Sequence, residues 1–131
     1  MNLAEQKDQP AVRSHCRSIL VVEDDADIRN ALCDVLQAEG HSVVTANHGK
    51  EALDRLSEIE RPCLILLDLM MPVMSGAEFL TVMREKDVLA PIPVVIVSAF
   101  SEQASTMKGA QAFVRKPVDL DLLLDLVNRY C

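Results

Sequence analysis

The chain has 131 residues, half of them hydrophobic and a quarter charged, which suits one ordinary domain around a single core. Thirteen basic and twenty acidic residues leave a net charge of −7, which argues against a surface for nucleic acid or an anionic membrane, because both need clustered lysine and arginine. No stretch approaches the roughly 18 apolar residues of a membrane span, and the N-terminus lacks a signal peptide's apolar segment. We therefore expect a cytoplasmic domain with neither nucleic acid nor membrane as a partner.

The cysteines show neither a CxxC pair nor the density of a disulfide-stabilised fold. They are Cys16, Cys33, Cys63 and Cys131. Because disulfides are rare in a reducing cytoplasm, we predict that all four are free thiols and that none belongs to a zinc site.

The first 17 residues differ in pattern from the rest of the chain. Residues 1–17 are polar, have no sustained hydrophobic period and contain a proline. We predict that they form a flexible leader and that residues 18–131 form the folded domain.

From residue 18 onward, short apolar runs alternate with amphipathic stretches. The predicted strands are residues 19–22, 42–46, 63–67, 93–97 and 112–115. A first helix precedes Gly40, and the others are predicted at residues 50–59, 77–85, 102–108 and 120–130. Such alternation predicts an α/β domain, with a doubly wound parallel sheet covered by helices on both faces. The functional site of such a sheet lies beyond the carboxyl ends of its strands.

Polar side chains follow four of the five apolar runs, at the points where the strands end. Acidic residues 23–25 follow the first strand, Asp68 the third, Ser98 the fourth and Lys116 the fifth. Because the carboxyl ends of parallel strands lie at one edge of the sheet, we expect these groups to meet in one pocket.

These residue types together suit phosphoryl transfer. Clustered carboxylates bind Mg²⁺, and Asp68 could then attack phosphorus as a nucleophile to form an aspartyl phosphate. Lys116 and Ser98 would contact the phosphoryl oxygens. Taken singly, an aspartate after a strand is more often a helix cap or turn residue, and we accept that interpretation for Asp25 or Asp27. The coincidence at four strand ends favours a functional site.

Five motifs together resemble those of response regulator receiver domains. They are VVEDD at residues 21–25, LLDLMMP at 66–72, SGAEFL at 75–80, VVIVSA at 94–99 and FVRKP at 113–117. The resemblance covers residues 18–130 and keeps the family's usual spacing between Asp24, Asp68 and Ser98. It implies a flavodoxin-like three-layer sandwich with five parallel strands and five helices.

The resemblance implies a role for each residue of the pocket. Asp68 would be the phosphoacceptor, assisted by Lys116. Asp24, Asp68 and the backbone carbonyl of Met70 would ligate Mg²⁺, or Mn²⁺ in its place, and Glu23 would act mostly through water. The Lys116–Pro117 bond matches a bond that is usually cis in the family.

The resemblance also implies a conformational switch. A phosphoryl oxygen would capture Ser98, and Phe113 would then turn inward and alter the face formed by the fourth helix, the fifth strand and the last helix. A simple core aromatic is the alternative for Phe113. On the last helix we predict a core stripe of Leu120, Leu123, Leu124 and Val127. Leu122 and Leu126 would lie on the opposite side as a contact for a dimer or an effector, and exposed leucines without a function are an equal alternative.

Two departures from the family pattern have consequences. The segment from Ser98 to Lys116 is about one helical turn shorter than usual, so the fourth helix should be short or irregular and the output face is in question. Met70 and Phe100 replace polar side chains that often orient the hydrolytic water. We therefore predict slow self-dephosphorylation.

The resemblance implies a signalling role in a bacterial two-component system and no metabolic enzyme activity. We expect a stand-alone, chemotaxis-type receiver domain, because no effector domain follows the last helix. Its partners would be a sensor histidine kinase or phosphotransfer protein as donor, a separate downstream effector and, as a further option, a second copy of the chain. One alternative is a receiver-fold scaffold whose output is independent of phosphorylation. The other, a phosphatase of the haloacid dehalogenase type, has little support because Met70 stands where that chemistry needs a second aspartate.

Overall fold

The structure is a computed structural model, and it describes residues 18–99 and 109–131. The strands are β1 (Ile19–Val22), β2 (Val43–Ala46), β3 (Leu64–Leu67), β4 (Val94–Ser98) and β5 (Ala112–Arg115). The helices in these ranges are α1 (Ala26–Ala38), α2 (Gly49–Glu58), α3 (Gly76–Arg84) and α4 (Leu120–Tyr130). The predicted strands and the later helices agree with these bounds to within one residue at either end. The leader and the short helix predicted at residues 102–108 lie outside the described residues.

The five strands form one parallel sheet in the order β2-β1-β3-β4-β5. The most hydrophobic run of the sequence, β3, is the central strand, as expected for a strand that is buried on both faces. Strand order reverses after β2, so the switch point lies between β1 and β3. Their ends are in register, because Val22 pairs with Leu67. This arrangement confirms the predicted doubly wound α/β fold and places the ends of β1 and β3 side by side.

Successive side chains of each strand point to opposite faces of the sheet and supply two aliphatic layers. In β1, Leu20 and Val22 enter the layer beneath α2 and α3, where Phe79 is fully buried. Ile19 and Val21 enter the layer beneath α1 and α4. Helices therefore cover both faces and leave the carboxyl edge of the sheet open for polar groups.

Each described helix begins at a side-chain cap. Asp25 caps α1 by accepting from the backbone N–H groups of Asp27 and Ile28, which settles the choice between Asp25 and Asp27. His48, Ser75 and Asp119 cap α2, α3 and α4. Within the described part of the chain, no helix has the length and apolarity that a membrane span requires.

The face that α4 turns toward the core differs from the predicted one. Leu126 is only 7% exposed, whereas Leu122 is 45% exposed, so the prediction of an exposed pair Leu122 and Leu126 was wrong. Leu120, predicted to lie in the core stripe, is 45% exposed. Apolar residues occupy more than half of the circumference of α4, so helical periodicity could not select the buried side. Packing against Val95, Val97 and Val114 of the sheet selects it.

The prediction that all cysteines are free thiols was also wrong. Cys63 and Cys131 form a disulfide, although they are separated by 68 positions in the sequence. Cys63 directly precedes β3 and Cys131 directly follows α4, and both positions lie at the amino end of the sheet with their Cα atoms 5.5 Å apart. Cys33 is free, as predicted, and Cys16 lies outside the described residues.

Candidate functional site

The predicted site residues meet at the carboxyl edge of the sheet. A cleft of about 220 Å³ lies there, and Asp24, Asp68, Met70, Ser98 and Lys116 are among the residues that line it. Glu23 is 2% exposed and pairs with Lys116 of the cleft. Convergence follows from the fold, because β1, β3, β4 and β5 are parallel and end at the same edge of the sheet, with β4 and β5 extending two residues beyond β1 and β3.

Three carboxylates form a compact cluster at the ends of β1 and β3. Ligand oxygens of Glu23, Asp24 and Asp68 all lie within 4.8 Å of one another. Asp24 is exposed, whereas Glu23 and Asp68 are buried. Oxygen donors at this separation fit a small hard divalent cation such as Mg²⁺, and the exposed member leaves a side open for water.

Lys116 is the counter-charge of this cluster. Its Nζ lies 2.9 Å from Oε1 of Glu23 and 3.6 Å from Oδ1 of Asp68. The backbone N–H of Lys116 donates to the carbonyl of Ser98 at 2.9 Å, which joins the ends of β4 and β5. The Lys116–Pro117 peptide bond is cis, as the resemblance implied.

Burial and like charge change the proton affinity of the site. Burial first, and then the charge of Glu23, raise the pKa of Asp68, whereas Lys116 and the backbone N–H of Met70 lower it; the net result is a pKa of about 7. Burial alone would lower the pKa of Lys116, but its hydrogen bond to Glu23 and the charges of Asp68, Glu23 and Asp24 raise it above its ordinary value. The protein therefore holds more negative charge here than one lysine neutralises.

Arg29 supports the acidic loop and was not identified from the sequence. Its Nη1 donates to the backbone carbonyl of Glu23 at 2.9 Å and to that of Asp24 at 3.5 Å. The same loop is held from the other side, because the N–H of Asp25 donates to Oε2 of Glu23 at 3.2 Å. The only sequence signal for this role is an arginine in the first turns of the helix that follows the acidic loop. That pattern is equally typical of an arginine that points into solvent.

The loop after Asp68 is bent tightly toward the start of α3. A Cβ atom at Gly76 would lie 2.4 Å from the backbone oxygen of Asp68, so glycine permits this approach. Val73 has φ +67°, which is rare for a β-branched residue, and the N–H of Met74 donates across it to the carbonyl of Pro72 at 2.7 Å. The loop therefore concentrates backbone strain beside the acidic cluster.

The other predicted residues surround the cluster. Ser98 is fully buried at the end of β4 and lines the cleft. Met70 is half-exposed, and its N–H lies 3.4 Å from Oδ1 of Asp68, at the long limit for a hydrogen bond. Phe113 is partly buried and packs against the layer beneath α2 and α3. Phe100 lies outside the described residues.

Comparison with known proteins agrees with this geometry. The family model for the response regulator receiver domain matches residues 19–128. The polar-differentiation response regulator DivK of Brucella anthropi is 31% identical over 118 residues, which are 87% of this chain and 95% of that protein.

Solved structures give the same result. A response regulator receiver protein from Pseudomonas putida superimposes with a TM-score of 0.80 at 34% identity, over 86% of this chain and 96% of that one. The response regulator TrrA from Thermotoga maritima, solved in complex with Mg²⁺-BeF, gives a TM-score of 0.79 at 32% identity, over 88% of this chain and 99% of that one. The chain therefore belongs to the response regulator receiver domain family, the signalling domains of two-component systems.

Proposed function

We propose that this chain is a Mg²⁺-dependent phosphoacceptor switch in the cytoplasm, with Asp68 as the acceptor. One observation carries the proposal: Asp68 shares a single pocket with Glu23, Asp24 and Lys116. TrrA, solved with Mg²⁺-BeF, supports it through 32% identity and a shared fold. The donor is a sensor histidine kinase or phosphotransfer protein, and the output goes to a separate effector.

Asp24, Asp68 and the backbone carbonyl of Met70 hold the metal ion in this proposal, and Glu23 acts through water. Mg²⁺, with Mn²⁺ as a substitute, supplies positive charge that offsets the carboxylates and the incoming phosphoryl group. The acidic cluster fits this role because three carboxylates face one ammonium and the pKa of Asp68 is raised to about 7.

In the transfer step, a carboxylate oxygen of Asp68 forms a bond to phosphorus as the bond from phosphorus to the donor breaks. The bonding electrons leave with the donor group, which then takes up a proton from water. Lys116 Nζ, 3.6 Å from Oδ1 of Asp68, is placed to pair with a phosphoryl oxygen as negative charge moves. The hydroxyl of Ser98, buried at the edge of the cleft, donates a hydrogen bond to another oxygen of the phosphoryl group.

The output follows from movement of Ser98 and Phe113. Capture of the Ser98 hydroxyl draws the chain after β4 toward the pocket, and Phe113 turns further inward from its partly buried position. Because Phe113 belongs to β5, this changes the face that β5 forms with α4. Leu122, 45% exposed on α4, is the member of the predicted leucine pair that remains accessible to an effector or a second copy.

The phosphorylated state should be long-lived. The side chain of Met70 lines the cleft but carries no group that can orient a water molecule for attack. Self-dephosphorylation should therefore take minutes or longer, and decay of the phosphorylated chain within seconds would contradict this.

The test is the intact mass of the chain after incubation with acetyl phosphate, with and without Mg²⁺. We expect a gain of one phosphoryl group that needs Mg²⁺ and is absent in Asp68→Asn. Asp54→Asn changes an exposed aspartate of α2 outside the cleft and should behave as wild type. Lys116→Met should slow the gain strongly while leaving the chain folded. No gain in folded wild type would support the phosphorylation-independent scaffold instead.

A further inference from the structure

We propose that Cys63 and Cys131 form a reversible thiol–disulfide centre that fastens the last turn of α4 to the start of β3. It lies at the amino end of the sheet, opposite the acidic cleft at the carboxyl end. Oxidation or reduction of this pair can therefore change the fold without involving Asp68, and the proposal does not depend on phosphorylation.

The two sulfur atoms are placed for bonding by regular secondary structure. The N–H of Cys63 donates to the carbonyl of Ser18 at 2.9 Å, which joins the start of β3 to the start of β1. The N–H of Cys131 donates to the carbonyl of Val127 at 2.8 Å and extends α4 by one hydrogen bond. A Cα separation of 5.5 Å lies in the ordinary range for a disulfide. Folding therefore raises the local concentration of one thiol at the other.

The two cysteines differ in accessibility, which sets the order of the exchange. Cys63 is 9% exposed, and Cys131 is more open. A thiolate at Cys131 attacks a low-molecular-weight disulfide such as oxidised glutathione and releases one glutathione. Cys63 then attacks the sulfur of Cys131 and releases the second. Two protein thiols and one oxidised glutathione thus give one protein disulfide and two reduced glutathiones, which balances electrons and protons.

The reduced state is also accommodated by the fold. The sulfur of Cys63 lies 3.5 Å from the carbonyl oxygen of Ser18, so a thiol there has an acceptor. Leu123, Leu126 and Val127 keep α4 on the core without the disulfide. Reduction should therefore loosen the last turn of α4 rather than unfold the domain. Disulfides in a reducing cytoplasm are usually transient. A cysteine pair that the fold accommodates both as two thiols and as a disulfide is suited to such reversible oxidation.

Cys33 provides an internal reference in the same chain. Burial and the charge of Asp34 raise the pKa of the Cys33 thiol, and the charge of Arg29 offsets only part of this rise. Less thiolate is then available at Cys33 for exchange, so its labelling should not change between the two redox states.

The test equilibrates the full chain in glutathione buffers of graded composition, quenches it with acid and alkylates the remaining thiols. We expect two fewer alkylated thiols in the oxidised chain, and peptide mapping should join Cys63 to Cys131. Folding should favour the disulfide by about 100-fold over the same chain in urea. Reduction of the wild type should lower Tm by about 10 °C, and amide exchange should increase in the last turn of α4.

Matched variants separate the centre from a general effect of thiol reagents. Cys33→Ser should keep the redox-dependent shift in Tm, whereas Cys131→Ser should lose it and resemble the reduced wild type. If Cys131→Ser failed to fold, the reduced and oxidised wild type would still provide the comparison. Equal disulfide formation in folded and urea-treated chain, or pairing of either cysteine with Cys16 or with another chain, would overturn the proposal.

Discussion

The two ends of the parallel sheet are built in opposite ways. At the carboxyl end, Glu23, Asp24 and Asp68 lie within 4.8 Å of one another, and the loop after Asp68 contains a valine at φ +67°. At the amino end, a covalent bond joins Cys63 to Cys131, and hydrogen bonds from Ile19 and Cys63 to neighbouring strands continue the regular ladder.

This difference indicates that the carboxyl end of the sheet is less stable than the amino end because it carries the groups of the functional site. Repulsion among the carboxylates and strain in the loop are unfavourable in the metal-free chain, and both lie beside the cleft. The amino end has no comparable charge cluster among the described residues. Substitutions that reduce carboxylate repulsion or backbone strain at the carboxyl end should therefore stabilise the domain. Substitutions that add atoms to its tightly packed loop should lower the free energy of unfolding.

The largest effect is expected from crowding the loop after Asp68. Gly76→Ala places a Cβ 2.4 Å from the backbone oxygen of Asp68 and 2.7 Å from Cα of Leu69, where only backbone could move. We expect the free energy of unfolding to fall by about 3 kcal/mol in urea denaturation. Gly49→Ala is the control, because its Cβ would meet the flexible side chain of Met74 and should cost about 1 kcal/mol. Equal losses would show that backbone contact at Gly76 is not decisive.

Removing one charge from the cluster should stabilise the metal-free chain. The folded-state pKa of Asp68 is raised to about 7, so the folded chain binds more protons than the unfolded chain, and the free energy of unfolding falls as pH rises from about 4 through 7. Asp68→Asn lacks this fall and should be about 2 kcal/mol more stable than wild type at pH 8.

The stability gap between Asp68→Asn and wild type should shrink toward pH 5, and Mg²⁺ should raise Tm in wild type more than in the variant. Asp54→Asn should show neither effect. A gap that does not change between pH 5 and pH 8 would contradict the raised pKa of Asp68.

The smallest effect is expected from relieving backbone strain without changing charge. Val73 is 72% exposed at φ +67°, and asparagine tolerates that conformation far better than a β-branched residue. Val73→Asn should raise the free energy of unfolding by about 1 kcal/mol. Val88→Asn, at a residue that is 76% exposed and outside the positive-φ region, should leave it nearly unchanged. A gain at both positions would point to lower surface hydrophobicity instead.

Much of this architecture was predictable because it depends on local pattern. The apolar runs of β1 to β5 were recognisable by composition, and the first helix ends before Gly40, which adopts positive φ. The convergence of Asp24, Asp68, Ser98 and Lys116 followed from topology, since parallel strands end at one edge. Prediction from the sequence failed for the buried side of α4 and for the pairing of the cysteines, because both depend on which segments pack against each other in the folded domain. Leu126 is buried where exposure was predicted, and Leu120 is exposed where burial was predicted. Cys63 is bonded to Cys131 although 68 positions separate them in the sequence.

The sequence by itself determined the order of strands and helices, the doubly wound class and the polar groups at the strand ends, because periodicity and strand termini are properties of short segments. Only the tertiary structure decided that Arg29 holds the acidic loop, that the pKa of Asp68 rises to about 7 and that two distant cysteines are bonded. Each of these depends on distance and burial between segments far apart in the chain, and on the dielectric that packing creates.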